Sequence, residues 1–219
     1  MNLKKLVTAA VCTMLMAAVA FTAGCGGEKK SDKKVLKVGM ECAYAPYNWS
    51  QTKADGGAVK IAGSNEYAYG YDVMMAKKLA DSMGADLEIH KIEWDGLAPA
   101  VVSGKIDAAI AGMSITSKRK ETVDFTKPYY YATVVALVKK DSEQAKAQSV
   151  ADLKGSVATS QLNTIWYDQI DQVPDVKKLP AIDTVPGMIV ALTSGKCNLI
   201  VTDTVSYTHL RAHETLRHL

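Results

Sequence analysis

The chain has 219 residues, with 26 Lys and Arg against 23 Asp and Glu and a formal net charge of +3. The basic residues are scattered along the chain, which excludes the electrostatic footprint of a nucleic-acid-binding domain. None of the 4 cysteines has CxxC spacing, so neither a disulfide framework nor a zinc site is implied and the fold must be held by its core.

Lys4 and Lys5 head an uncharged apolar stretch from Leu6 to Ala23, and the small residues Ala23 and Gly24 precede Cys25. That is the layout of a removable secretory signal over residues 1–24, not of a membrane span in the mature protein. Thr22-Ala23-Gly24-Cys25 resembles a bacterial lipobox, with Thr where Leu is usual; the Cys25 thiol would then carry lipid and become the new N-terminus. An ordinary signal followed by an incidental cysteine is the alternative. Residues 26–34 read GGEKKSDKK, too polar to bury surface, so residues 25–34 are expected to form a lipid-anchored flexible linker. About two hundred residues remain, enough for one sizeable domain or two small lobes.

From there, extended and helical patterns alternate, which argues an α/β class. Leu36 to Glu41 reads as a strand. Asp72 is placed to cap a helix with Val73, Ala76, Leu79, Ala80 and Met83 on one face and Gly84 at its end. Leu87, Ile89 and Ile92 mark a strand, Gly96 to Ser103 a short helix, and Ile106 to Ala111 a strand apolar enough to be covered on both faces. Tyr129 to Lys140 reads as a long strand that carries the chain from one half to the other. A polar run (141–149) follows, then a capped turn over 150–155 and a strand from Val157 to Gln161. Asn163 and Thr164 precede a helical stretch, Ile165 to Ile170, and would form an N-terminus suited to an anion.

Residues 100–112 (AVVSGKIDAAIAG) and 191–203 (ALTSGKCNLIVTD) echo one another: a helix end, a Ser-Gly-Lys turn and an apolar strand. Helix, glycine cap and buried strand are common parts of any α/β protein. If each lobe owns one copy, however, Gly112 to Ser114 and Asp203 occupy equivalent strand ends and face each other across a cleft. Past Thr204 the periodicity stops. Residues 205–219 (VSYTHLRAHETLRHL) hold three of the four histidines and read as a non-native or unstructured tail. His213, Glu214 and His218 miss the zincin spacing by one position, and His209 with His213 lacks a third ligand.

Four stretches, VGMECAYAPYNW (38–49), GYDVMMAKKLA (70–80), EWDGLAPAVVSGKIDAAIAGMSITSKRKETVDFTKPYY (93–130) and SVATSQLNT (156–164), resemble the solute-binding proteins of polar amino-acid ABC transporters, family 3. The resemblance runs from about Val35 to Thr204. It implies an α/β, two-lobed periplasmic-binding-protein type II fold, with lobe 1 over 35–133 and lobe 2 over 134–204. The second lobe would be incomplete, because the family's further helix, strand and return crossing are not seen in the sequence. The implied protein is a non-enzymatic, cofactor-free, extracytoplasmic receptor, held at the cell membrane through its lipid. It would pass a free amino acid to an ABC permease with a cytoplasmic ATPase. A sensor or adhesin using the same trap, and a cleft dehydratase needing an acid or base such as His90, are the competing readings.

A free amino acid carries a carboxylate and an ammonium, and a dry cleft must answer both. The resemblance assigns the carboxylate to Arg119, whose planar fork takes both oxygens at once; read alone, its Lys-Arg-Lys-Glu run is a solvated helix face. It assigns the ammonium to Asp203, otherwise an ordinary loop or cap aspartate. Ser114 with the Gly112 backbone, and Thr164 with the amide near Asn163, complete the two lips. Ala111, Leu162 and Asn163 depart from the family's usual small or hydroxyl residues. Tyr44 and Trp94 match positions that wall the ligand side chain, with Tyr47 and Trp49 as further aromatics. Glu41 stands where some members meet a cationic side chain, so lysine or arginine is expected ahead of glutamine.

Overall fold

The computed structural model describes residues 33–204 and the backbone of 214–218. The signal, Cys25, most of the linker and residues 205–213 with the histidines there lie outside the described residues. In chain order the first half contains β1 (Val35–Met40), β2 (Ala43–Tyr44), β3 (Asn48–Gln51), β4 (Val59–Lys60), β5 (Tyr67–Tyr69), α1 (Tyr71–Met83), β6 (Asp86–Lys91), α2 (Leu97–Val102), β7 (Ala108–Ala109) and α3 (Ser117–Lys120). The second half contains β8 (Val134–Lys139), β9 (Val157–Thr159), α4 (Ile165–Gln169), β10 (Lys177–Lys178), α5 (Val185–Thr193), β11 (Leu199–Asp203) and β12 (Glu214–His218). Among the described residues no helix is long and apolar enough to cross a membrane.

β1 is central in a parallel sheet of order β6-β1-β7, and Val38, Met40 and Ile89 are fully buried in the core it carries. Beside it lies an antiparallel sheet of order β2-β3-β5-β4, built from strands too short to show a period in the sequence. The second half is one sheet of order β10-β9-β11-β8-β12, with β9 and β11 parallel and β8 antiparallel to β11. Its core gathers Leu137, Ile170, Met188, Leu192, Leu199 and Ile200. The fold is a two-lobed α/β architecture with one sheet-centred core in each lobe.

Several expected elements change on folding. The apolar face of α1 buries Val73, Ala76 and Ala80, but Leu79 and Met83 stay 41% and 53% exposed, because the sheet covers only one side of the helix. The stretch from Ile106 to Ala111 yields only the two-residue β7, with Ala108 to Ile110 half-buried, because β7 is an edge strand of its sheet. The expected strand from Tyr129 begins only at Val134; residues 129–133 belong to no strand, and Tyr131 is 82% exposed. Glu214–His218, set aside as tail, pairs antiparallel with β8.

Asp72 does not cap α1. The helix begins at Gly70, with φ at 128°, and the Tyr71 and Asp72 amides donate to the carbonyls of Pro46 (3.1 Å) and Tyr47 (2.8 Å). This docking satisfies N–H groups that a capping side chain would otherwise take.

The internal echo is a repeat of hydrogen bonds as well as of letters. At the first copy Lys105 N–H donates to Ala100 O (3.0 Å), Gly104 N–H to Val101 O (3.0 Å) and Asp107 N–H to Lys37 O (2.8 Å). At the second, Lys196 donates to Ala191 O (2.9 Å), Gly195 to Leu192 O (3.1 Å) and Asn198 to Val157 O (2.9 Å). The side chains match too: Asp107 accepts from Lys37 N–H and Asn198 from Val157 N–H, each at 2.8 Å. The two lobes therefore share one helix–turn–strand unit, and β1 corresponds to β9.

A Cβ at Gly70 would lie 2.7 Å from the Tyr47 carbonyl carbon and 2.9 Å from Pro46 O, on a backbone that side chains rarely adopt. Gly70→Ala is expected to lower the unfolding free energy by about 2 kcal/mol or more. Urea titration checks this, and an unshifted midpoint would contradict the close approach.

Candidate ligand-binding cleft

The polar residues at the strand ends converge where the lobes meet. Glu41 follows β1 and is 4% exposed. Its carboxylate accepts from Gln161 Nε2 of the other lobe at 3.3 and 3.2 Å, and the same amide donates to the Asp183 carbonyl at 2.9 Å. Glu41 and Gln161 are equivalent residues of the repeat, each four positions beyond the strand amide that the matched Asp107 or Asn198 holds. A neutral amide answers the negative charge only in part. Burial accordingly pushes the Glu41 carboxyl up to about 7, with the Gln161 hydrogen bond opposing and Glu93 adding to the rise.

Arg119 sits on α3, a single turn begun by Thr116, whose Oγ1 accepts the Arg119 amide at 3.1 Å. Lys118 and Lys120 are exposed, whereas Arg119 is half-buried. One arm of its fork donates to Ser114 O (2.7 Å) and the other to Asn163 O of the second lobe (2.8 Å). The guanidinium carbon lies 5.5 Å from the centre of the Trp94 ring, so the aromatic covers the cation's face. Both oxygen partners are neutral carbonyls, which leaves the fork's charge to be complemented by an anion.

Tyr44 on β2 is buried and donates to Asp203 Oδ2, at the end of β11, at 2.6 Å. Its ring stacks on Tyr47, with centroids 5.1 Å apart, and both rings join the core of the second lobe. Gly112 has φ at 64°, and a Cβ there would lie 3.2 Å from Tyr44 Cε1, so the strand end packs against this wall. Gly112, Ser114, Tyr47, Trp166 and Asp203 line one cavity of about 280 Å³. Trp49 packs instead edge-on against Tyr69, 5.0 Å away in the antiparallel sheet.

Thr164 caps α4: its Oγ1 accepts from Tyr167 N–H at 3.4 Å and donates to Gln161 O at 2.7 Å. Asn163 turns with φ at 53°, which exposes its carbonyl to Arg119. Of the residues read from the sequence, Gly112, Ser114 and Asp203 line one cavity, Trp94 lines another, Glu41, Tyr44 and Arg119 bond to residues of the second lobe, Asn163 supplies the carbonyl to Arg119, and Thr164 bonds only within its own lobe. Gln161 was missed; a polar residue just past a strand end was the signal available, and the Glu41 partner lay 120 residues away. His90 lies on β6, 2.7 Å from Glu88 Oε1. Among the described residues no three His, Cys, Asp or Glu side chains gather as metal ligands.

Two lobes whose polar strand ends close on one another define a solute-binding protein. The chain belongs to the bacterial extracellular solute-binding proteins, family 3, whose profile matches residues 36–179. It is 30% identical over 203 residues to ABC transporter arginine-binding protein 1 of Escherichia coli (strain K12), covering 92% of this chain and 72% of that one. It is 33% identical over 140 residues to the arginine-binding extracellular protein ArtP of Bacillus subtilis (strain 168), covering 64% of this chain and 49% of the relative, about half its length. Its fold is similar to the crystal structure of an ancestral amino acid-binding protein, a precursor of cyclohexadienyl dehydratase. The TM-score is 0.71 at 30% identity, over 84% of this chain and 78% of the other.

Because the folded Glu41 carboxyl holds its proton to about 7, against an ordinary value of 4.5, the folded state binds more protons than the unfolded state between these values. This group's contribution to stability is full below about pH 4.5 and is lost as pH rises through about 7, by on the order of 3 kcal/mol. Glu41→Gln is expected to flatten that slope in denaturant titrations of the ligand-free protein. A slope that persists undiminished would remove Glu41 as its source.

Proposed function

We propose that this protein is a receptor that closes its two lobes around a free amino acid with a polar or basic side chain, arginine foremost. It would deliver that ligand to an ABC permease driven by a cytoplasmic ATPase. We further propose that residues 1–24 are a secretory signal, that Cys25 carries the lipid that tethers the protein outside the cytoplasm, and that the lobes divide near residue 133.

One observation carries the reading: the half-buried guanidinium of Arg119 and the buried side chain of Asp203, on opposite lobes, each bond across to the other lobe, Arg119 to the Asn163 carbonyl and Asp203 to the Tyr44 hydroxyl. These are the two charges that a zwitterion's ends require. In the proposed complex the ligand carboxylate takes the Arg119 fork and the amides near Ser114 and Thr164. The ammonium takes Asp203, the Ser114 hydroxyl and the backbone at Gly112. The side chain runs between Tyr44 and Trp94 toward Glu41. Beyond Trp94, a cavity of about 170 Å³ is lined by Glu93, Asp95 and Asp183, an acidic surround that favours a cationic terminus. Ligand would act by population shift, since only the closed form offers both lips at once.

The named relatives are binding proteins, which supports a receptor over an enzyme. The structural neighbour that precedes a dehydratase keeps the enzymatic alternative concrete, and Glu41, with its carboxyl near 7, would be its acid. Recovery of arginine unchanged after prolonged incubation is the expected result, and release of an altered product would favour the enzyme.

Calorimetric titration of the free amino acids is expected to show binding of arginine. Arg119→Ala should weaken it by roughly thirtyfold or more by leaving a buried carboxylate unpaired. Equal affinity in that variant would take Arg119 out of the site.

A cationic ligand needs Glu41 ionised. Arginine affinity should therefore rise about tenfold between pH 6 and 8, while glutamine changes less. The Glu41→Gln protein should lose the dependence, and a pH response that survives this change would contradict the assignment.

A further inference from the structure

The loops that carry Glu41, Tyr44 and Ser114 contain two residues with left-handed backbone, Cys42 at φ 56° and Gly112 at φ 64°. Cys42 lies just past the end of β1, and its N–H turns away from the ladder to donate to Asn48 Oδ1 at 2.7 Å. Gly112 lies past β7, and its N–H donates to Tyr129 Oη at 2.9 Å. Asn48 Nδ2 then donates to Asp72 Oδ2 at 2.7 Å, and the Tyr129 hydroxyl donates to Asp72 Oδ1 at 2.7 Å. Two relays of equal length thus run from two strand ends to the two oxygens of one carboxylate.

We infer that Asp72 is a positioning residue for the ligand cleft: its carboxylate holds the Cys42 and Gly112 amides through Asn48 and Tyr129, and so sets the two loops that present Glu41, Tyr44 and Ser114. The claim that these loops serve a ligand rests on the receptor reading; the relay itself does not.

The direction of every bond follows from the carboxylate. An ionised carboxylate only accepts, so Asn48 must turn its NH2 toward Asp72 and its carbonyl toward Cys42, and Tyr129 must aim its proton at Asp72 and a lone pair at Gly112. A neutral amide at 72 could satisfy one arm but would set an NH2 against the other donor. Asp72 and Asn48 are 0% exposed, so water cannot repair the mismatch. Helix capping does not compete for the carboxylate, because the first amides of α1 are taken by Pro46 and Tyr47 carbonyls, while the helix N-terminus places its positive end beside the charge. Burial still pushes this carboxyl up to about 6 against the two hydrogen bonds that lower it, the cost of holding an acceptor where the loops need one.

The relay predicts a rescue that a general packing role does not. In the double variant Asp72→Asn with Asn48→Asp the carboxylate moves to position 48, where it accepts from Cys42 and from the amide NH2 introduced at position 72. The carbonyl of that introduced amide then accepts from Tyr129, and every link is restored. The experiment uses the full chain, measuring amide hydrogen exchange at Cys42 and Gly112 without ligand and titrating L-arginine by calorimetry, below the melting temperature of each variant.

Asp72→Asn should speed exchange at the amide of whichever arm its NH2 opposes and weaken arginine binding, each by roughly tenfold, and the double variant should recover both. Tyr129→Phe, which removes a single hydroxyl, should speed Gly112 alone and decides the matter if Asp72→Asn does not fold. Unchanged amides in either single variant, or a double variant as exposed as Asp72→Asn alone, would overturn the relay. Faster amides with unaltered arginine affinity would overturn its positioning role while leaving the receptor reading standing. A parent protein that binds none of the free amino acids sinks the receptor reading instead, and the exchange pattern still rules on the relay.

Discussion

A charge removed from water must find a partner, and in this protein the charged groups of the cleft find theirs across the gap between lobes. Asp203 is met by the Tyr44 hydroxyl, Glu41 by the Gln161 amide and Arg119 by the Asn163 carbonyl. Each of these partners is a neutral dipole. For Glu41, a neutral dipole holds the carboxyl in place without fully answering a negative charge there. Glu41, with its carboxyl near 7, is the clearest sign of that incompleteness.

The repeat explains why the residues meet where they do. Each lobe presents the carboxyl ends of matched parallel strands, so the residue after β1 and its counterpart after β9 arrive at the same junction from opposite sides. Duplication alone would give two like lips. Here the matched positions have diverged into an acid and an amide, Glu41 and Gln161, and Gly112 lines the same cavity as its counterpart, Asp203. The architecture is symmetric and the chemistry is not.

Behind the lips, the same economy of polar groups recurs in the first lobe. Left-handed turns free two backbone amides from the ladder, and a buried acceptor must then exist for each. Asn48 and Tyr129 supply the acceptors and Asp72 orients both, which couples the β1 loop to the β7 loop without a direct ladder between those segments.

What the sequence determined by itself is local or repeated: the helix closed by Gly84, the paired Ser-Gly-Lys turns and the motif around Arg119. Period, glycine and spacing carry such information directly, because neighbours in the chain supply the interactions. What tertiary structure alone decided depends on partners far apart. Tyr44 meets Asp203 159 residues on, and Asp72, read as a helix cap, meets Tyr129 57 residues on. Leu79 and Met83 fit the helical period yet remain exposed, and the apolar run at Ile106 shrinks to an edge strand. In each case the residue type permits several roles. Which one it takes is set by what packing places against it, and a single chain of letters does not record that.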